Sequence, residues 1–293
     1  MPEAQEKIAL VTGATSGIGF AIARELAARG FRVFLHGRTL EKARDAAARI
    51  PFGAVTPLYA DLAEQSAVRR LADDLLGRTD RLDVLVNNAG VWNSERVLTV
   101  DGVETTFAVN HLAYFLLTGL LLPLLRPNGR VICLASDSHK QVPRMHFADL
   151  SLAGRYHGLR SYAQSKLANV LFCYEYDRRK QDATTIAAVQ PGLVQTDIGL
   201  KGNTWLHRLA WRVRRQMRGN KSPAEGAATA IFLATVEGNF PSGLYWDDGA
   251  PKASYSSSYD GAEAARLWEE SEALTGFRYE FPNLPGVLPG HPD

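Results

Sequence analysis

Cysteine is nearly absent from this chain: Cys133 and Cys173 are the only two in 293 residues, and neither sits in a CxxC or Cys/His cluster. That excludes a disulfide framework and a zinc-type ligand set, and it favours a reducing, intracellular setting. Long apolar runs are missing as well. The longest, Leu112–Leu125, is interrupted by Tyr114, Thr118, Gly119 and Pro123 and is too short to span a bilayer. Met1–Lys7 has none of the basic, apolar and small-residue regions of a secretory signal. These features predict a soluble, cytoplasmic protein. A net charge of +2 gives no reason to expect a nucleic-acid partner. No linker rich in Gly, Ser or Pro divides the chain, and no segment repeats, so one domain is expected.

Hydrophobic residues make up 46% of the chain and charged residues 22%, enough apolar surface for a sizeable core. Short apolar runs at Ile8–Val11, Phe31–Leu35, Val55–Tyr59, Leu82–Val86, Arg130–Leu134, Thr185–Val189 and Gly243–Trp246 read as strands. Helical spacing of apolar residues predicts helices over Ile18–Ala28, Leu40–Arg49, Ser66–Leu76, Val103–Leu125, Ser161–Arg179 and Ala224–Ala234. Continuous apolar strands alternating with helices imply an α/β fold, with a parallel sheet covered on both faces. Two excursions break the rhythm, Ser136–Tyr162 and Gly192–Ser222, and both leave from strand ends where open α/β sheets bind ligands. The tail, 281–293, is rich in Pro and Gly and is expected to be loosely ordered.

The first strand runs into Thr12-Gly13-Ala14-Thr15-Ser16-Gly17-Ile18-Gly19 and then a helix. Glycines let the backbone approach a pyrophosphate, and the helix that follows offers free N–H groups and the positive end of its dipole. The spacing is G-x-x-x-G-x-G, which alone reads equally well as a tight turn. Its place between a strand and a helix favours phosphate binding by Gly13, Thr15, Ser16, Gly17, Ile18 and Gly19. The second strand ends in His36-Gly37-Arg38-Thr39, with no acidic side chain to accept a ribose 2′-hydroxyl. Arg38 suits a 2′-phosphate instead, so NADP(H) is expected in preference to NAD(H).

Thr12–Gly19, Asp61-Leu62, Asn87-Asn88-Ala89-Gly90, Asn110, Ser136, Tyr162-Ala-Gln-Ser-Lys166 and Pro191-Gly192 follow one another in the order found in short-chain dehydrogenases/reductases. The chain resembles that superfamily over nearly its whole length. The segment Ser161–Phe172, together with Asp149-Leu150 and Ala264–Ser271, is similar to the retinol-dehydrogenase and WW-domain-oxidoreductase branch. The resemblance implies a single Rossmann-type, doubly wound domain over 1–280, with a mostly parallel seven-stranded sheet in the order 3-2-1-4-5-6-7 and helices on both faces. It further implies that Asp61 and Leu62 border the adenine, and that Asn87, Ala89 and Gly90 line the cofactor's path. Pro191 and Gly192 would sit against the nicotinamide, with Val194 and Thr196 at its carboxamide. Asn110 would hold a water that links Lys166 to solvent, and Lys166 would bond the nicotinamide ribose.

Reducing a carbonyl needs a hydride at carbon and a proton at oxygen, and the hydride belongs to the cofactor. Tyr162 is the expected proton donor, with Lys166 four residues on and so on the same helix face. A neighbouring ammonium lowers a phenol's pKa, so the pair is expected to make Tyr162 unusually acidic. Ser136, after the fifth strand, would donate to the substrate oxygen as charge develops there. The local sequence is Leu134-Ala135-Ser136-Asp137-Ser138, which leaves Ser138 as an alternative. His139 and His157 read as loop or rim residues.

From Ile198 to Ala224 there is no acidic residue, while seven Lys and Arg alternate with apolar residues at helical spacing. That pattern fits a lid over the substrate at about 198–221, and it also fits a helix docking on a membrane surface or an acidic partner. With a lid, Trp92, Trp205 and Trp211 would wall a pocket for a hydrophobic carbonyl or alcohol. The expected activity is therefore NADPH-dependent reduction of a ketone or aldehyde, reversible to alcohol oxidation. The alternative is an NADP(H)-binding regulator without turnover. Relatives often pair through their two long helices, which leaves a homo-oligomer open.

Overall fold

The computed structural model describes residues 6–192, 194 and 221–281. The expected lid and tail fall outside that range except for Lys221 and Phe281. Along the described chain come β1 (Ile8–Val11), α1 (Gly17–Ala28), β2 (Arg32–Gly37), α2 (Leu40–Ala48), β3 (Val55–Tyr59), α3 (Gln65–Leu76) and β4 (Leu82–Asn87). There follow α4 (Thr105–Phe107), a π-turn (Ala108–Leu112), α5 (Ala113–Leu120), β5 (Leu125–Leu134), α6 (Gly158–Arg179) and β6 (Thr185–Gln190). The chain closes with α7 (Pro223–Thr235), β7 (Leu244–Asp247), β8 (Ala250–Pro251) and α8 (Gly261–Thr275).

The strands form one sheet in the order β3-β2-β1-β4-β5-β6-β7-β8, parallel throughout except for the antiparallel pair β7–β8. The expected order holds for seven strands, and the two-residue β8 adds an eighth, because Asp248-Gly249 turns the chain straight back along β7. The order reverses between β1 and β4, which opens a crevice at the carboxyl ends of the strands. Strand residues alternate between two cores. Leu10, Phe34, Leu85, Val131 and Ile186 face α3, α5 and α6, whereas Val11, Val33, Val86, Ile132 and Val189 face α1 and α7.

The single helix expected over Val103–Leu125 is divided. Glu104 caps α4, the π-turn follows, α5 ends at Leu120, and Leu125 already belongs to β5. Leu122–Leu124 is a 3-10 turn holding Pro123, which has no N–H to continue a helix. Gly119 accounts for the close packing of α5: a Cβ there would lie 2.2 Å from the Phe277 ring.

The segment after β5 is stitched down by polar bonds. The Met145 N–H donates to Glu263, His146 N–H donates to Gln164 Oε1 at 3.1 Å, and Gln164 Nε2 donates to the Leu150 carbonyl at 3.0 Å. Val142 and Met145 pack with Leu167, Leu171 and Leu267 in a third, smaller core. At the C-terminus, α8 and the strap Phe277, Tyr279 and Phe281 lie over α5 and α6. Tyr279 sits 4.6 Å from Trp268 and 4.9 Å from Phe115, and Phe281 sits 5.5 Å from Tyr176, between ring centroids. Phe281 is thus packed, although the sequence suggests that the loose tail begins there.

Candidate active site

Thr12 fastens the glycine loop across to β4, accepting through Oγ1 from the Asn88 N–H at 2.9 Å and the Ala89 N–H at 3.1 Å. Asn88 Nδ2 donates back to the Thr12 carbonyl at 2.8 Å. On the other side, His36 at the end of β2 accepts from the Gly13 N–H through Nδ1 at 3.1 Å, while Nε2 lies 3.1 Å from the Ala60 carbonyl. A carbonyl only accepts, so the ring carries its proton on Nε2. Burial pushes the His36 pKa down to about 4, which keeps that neutral form. Gly13 has φ of +63°, and a Cβ there would lie 2.7 Å from Ala89 Cα, so only glycine fits. Ser16 precedes α1 without a capping side-chain bond, and no acidic residue lies in the first turn. The first N–H groups of α1 are therefore left for an anion.

Around this loop the structure sorts the predicted cofactor residues. Arg38 is exposed and makes no hydrogen bond or ion pair among the described residues. A second cation lies close by: Arg49 donates to the Thr15 carbonyl at 2.8 Å and stacks 4.3 Å over the Phe20 ring. Asp61 accepts from the Ala63 N–H at 3.0 Å, at the end of β3. Leu62 turns its side chain into the core at 6% exposure, leaving its backbone for any adenine contact. The Asn87 side chain is fully buried and points inward, donating to Thr118 Oγ1 at 2.9 Å, because β4 runs between two packed layers. Ala89 and Gly90 follow β4, and the Ala89 carbonyl accepts from the Tyr114 hydroxyl at 2.8 Å. Pro191, Gly192 and Val194 follow β6, and Val194 is bridged to Lys221. Thr196, Trp205 and Trp211 lie outside the described residues, whereas Trp92 is 8% exposed, one residue past Val91.

The four catalytic candidates converge at the ends of β4 and β5. The Ser136 hydroxyl donates to Ser138 Oγ at 3.2 Å, and the Ser136 side chain is the neighbour that acts to lower the Tyr162 pKa. Ser138 is not among the groups that shift the Tyr162 pKa. Lys166 is 3% exposed, and its ammonium lies 5.6 Å from the Tyr162 ring centroid and 5.8 Å from that of Tyr114. Its Nζ donates to the Leu134 carbonyl at 2.7 Å. The expected acidic phenol is not what this arrangement gives. Burial pushes Tyr162 up to about 12, outweighing the Ser136 side chain, and pushes Lys166 down to about 7. The spacing brought the two groups to one face, but desolvation disfavours the charged form of each.

Asn110 sits in the π-turn, fully buried. Its Oδ1 accepts from the Val91 N–H at 2.7 Å, and its Nδ2 donates to the Val91 carbonyl and to Ser165 Oγ, both at 3.0 Å. The side chain holds the loop after β4 against α6. Beside it, Glu104 is 1% exposed and accepts four bonds: from the Thr106 and Phe107 N–H groups at 2.9 Å each, from Ser161 Oγ at 2.8 Å and from the Tyr156 hydroxyl at 3.2 Å. His157 is exposed, as read, but His139 is not a rim residue. It is fully buried, with Nδ1 2.7 Å from the Ser136 carbonyl, because the 3-10 turn after β5 folds its ring inward. Sequence reasoning passed over His36, Asn88, Glu104, Tyr114 and this role of His139.

A family model described as short chain dehydrogenase matches residues 7–206. Retinol dehydrogenase 12 of Mus musculus is 38% identical over 282 residues, covering 94% of this chain and 88% of that protein. Polyprenol dehydrogenase of Homo sapiens is 34% identical, with 94% and 87% covered. Among solved structures, an uncharacterised protein from Mycobacterium paratuberculosis superposes with a TM-score of 0.76 at 33% identity, covering 95% of this chain and 96% of that one. A short chain dehydrogenase from Burkholderia cenocepacia J2315, solved in complex with NADP, gives 0.65 at 30% identity, covering 83% and 97%.

Proposed function

Since this chain belongs to the short chain dehydrogenase family, within its retinol-dehydrogenase-like branch, we propose that it is an NADPH-dependent reductase of ketones or aldehydes on hydrophobic small molecules. Family membership makes it an oxidoreductase of alcohols and carbonyls. The finer terms rest on the chain's own residues. The observation that carries them is the Tyr162 phenol with the Lys166 ammonium 5.6 Å from its ring centroid and the Ser136 side chain acting on it.

The residues fit a dinucleotide. The close approach at Gly13, the open first turn of α1 and the unengaged Arg38 would take the pyrophosphate and a 2′-phosphate. Lys166 and Pro191-Gly192 would hold the nicotinamide end, as the family resemblance implies. When bound, reduced nicotinamide supplies the hydride to the carbonyl carbon. The carbonyl's π electrons then pass to oxygen, which takes the proton from the Tyr162 hydroxyl and leaves an alcohol. Ser136 donates to the same oxygen as its charge grows. A phenol held up at about 12 is fully protonated at neutral pH, the form that an acid in the reducing direction requires. The phenolate left behind is stabilised by the Lys166 ammonium, and solvent returns its proton.

The NADP preference is supported by Arg38 and by the absence of an acid at the end of β2. The relatives named above for retinol and polyprenol support a hydrophobic substrate. The test is NADPH consumption with a panel of hydrophobic ketones and aldehydes. Tyr162→Phe should lose about 10²–10⁴-fold in kcat while still binding NADPH. Equal use of NADH and NADPH would remove the cofactor preference, and undiminished turnover by Tyr162→Phe would remove the mechanism.

A further inference from the structure

Ser136 can aim its hydroxyl only if the backbone beneath it is held, and the turn after β5 holds it through a buried imidazole. The His139 backbone N–H donates to the Ser136 carbonyl at 3.0 Å, and its ring Nδ1 lies 2.7 Å from the same oxygen. The other ring nitrogen, Nε2, lies 3.0 Å from the Tyr255 N–H. The Ser136 carbonyl can only accept and the Tyr255 N–H can only donate. The ring is therefore neutral with its proton on Nδ1, and both nitrogens are used. It packs 5.0 Å from the Tyr245 ring, whose hydroxyl donates to Asp137 at 3.0 Å.

These contacts close a circuit. From Tyr255 the chain steps back to Ser254, whose Oγ lies 2.7 Å from the Tyr174 hydroxyl on α6, the helix that carries Tyr162. Ser258 completes the knot, 2.6 Å from Ser254 Oγ and donating to the Tyr255 carbonyl. The end of β5 is thereby registered against α6 by a path that does not pass through the reacting groups. We propose that His139 is a positioning residue that fixes the serine donor relative to the tyrosine acid. Its action rests on the reductase reading. Burial lowers the His139 pKa and so maintains the neutral ring that both bonds need.

Three variants separate positioning from simple packing. His139→Phe keeps the ring's bulk and loses both bonds. His139→Asn can still present an amide N–H near the Nδ1 position, and His139→Gln can still present an acceptor near Nε2. Misplacing a catalytic group by about 1 Å can lower turnover by about 10²-fold. His139→Phe is expected to lose kcat on that scale, with NADPH binding and the KM for the carbonyl within about threefold of wild type. His139→Asn should recover most of the loss and His139→Gln little of it. Undiminished kcat in His139→Phe, or recovery by Gln as complete as by Asn, overturns the inference. So does a loss of kcat that only follows the thermal midpoint across the three. The ring itself is read without turnover: ¹⁵N-histidine NMR should show Nδ1–H at His139, and Nε2–H or an imidazolium at neutral pH overturns the contact. A wild type that reduces nothing on a broad panel brings down the reductase reading. A working wild type beside an equally active His139→Phe brings down this inference alone.

Discussion

With Nδ1 accepting from Gly13 and Nε2–H donating to Ala60, His36 has no place for a second proton without losing the glycine loop. Its folded pKa is about 4, against 6.5 for an unperturbed imidazole. Between those values the unfolded chain binds more protons than the folded one, so stability falls as pH drops from about 6.5 towards 4. At pH 4.5 this amounts to about 2 kcal/mol. Denaturant unfolding of wild type and His36→Gln at pH 7 and 4.5 should show the variant losing less on acidification by about that amount. Buried His111, held down to about 3, still contributes acid sensitivity in the variant, so its curve will not be flat. The same acid loss in both proteins would contradict the assignment. His36 also shows what could not be read from sequence. Tyr162 and Lys166, or Gly13 and Gly19, are partners within a turn or a loop, so spacing reveals them. The partner of His36 lies 23 residues away, that of Asn88 76 and that of His139 116, distances that only the folded chain closes. Burial is equally hidden, which is why the pKa shifts of Tyr162 and Lys166 run opposite to what spacing alone implies.

Among elements, α4, the π-turn and the start of α6 depend on one carboxylate. Glu104 caps α4 through two backbone N–H groups, where a negative charge also meets the positive end of the helix dipole. It takes the Ser161 hydroxyl, one residue before Tyr162, and the Tyr156 hydroxyl, which is shared with the Asn93 carbonyl at 3.1 Å. No cation is paired with it among the described residues. Glu104→Ala would strand three donors, the Thr106 and Phe107 N–H groups and the Ser161 hydroxyl, each costing about 1–3 kcal/mol where water cannot replace the carboxylate. Partial rehydration brings the expected loss to about 3 kcal/mol in urea unfolding, and a change below about 1 kcal/mol would mean that the four bonds are not a hub. The helix boundaries themselves were legible where a cap or breaker stands in the sequence. Thr39 opens α2, and Ser222 with Pro223 opens α7. The division of Val103–Leu125 was not legible, because apolar residues run through it without a break in period. Pro123 stands before the expected end at Leu125, and nothing local announces a π-turn. That turn lies where Asn110 makes its bonds to Val91 and Ser165.

At the scale of the molecule, the sheet order followed from alternating strands and helices, since right-handed crossovers leave few ways to arrange them. The cover at the C-terminus did not, because its residues are bound to helices far back in the chain, as Tyr279 is to the Phe115 carbonyl 164 positions earlier. That cover bears on assembly. Relatives that pair through two long helices need an apolar face left open on each, and here neither helix has one. Every residue from Ala113 to Gly119 on α5 is buried, as is each from Ala163 to Tyr176 on α6. Phe277 and Tyr279 close over α5, while Trp268 stacks on Phe172 of α6 at 5.9 Å. A stable dimer needs about 800 Å² from each partner. To offer that area on this face, α8 and its strap would have to leave and expose Trp268 and Tyr279. Undoing several aromatic contacts is unfavourable by about 0.5–1.5 kcal/mol each beyond their buried area. Light scattering behind size exclusion should therefore return the mass of one chain at micromolar concentration. Tyr279→Ala, which loosens the strap at its centre, should shift the protein towards larger species. A two-chain mass for the wild type, with Trp268 fluorescence showing it released to solvent, would mean that the strap yields to a partner.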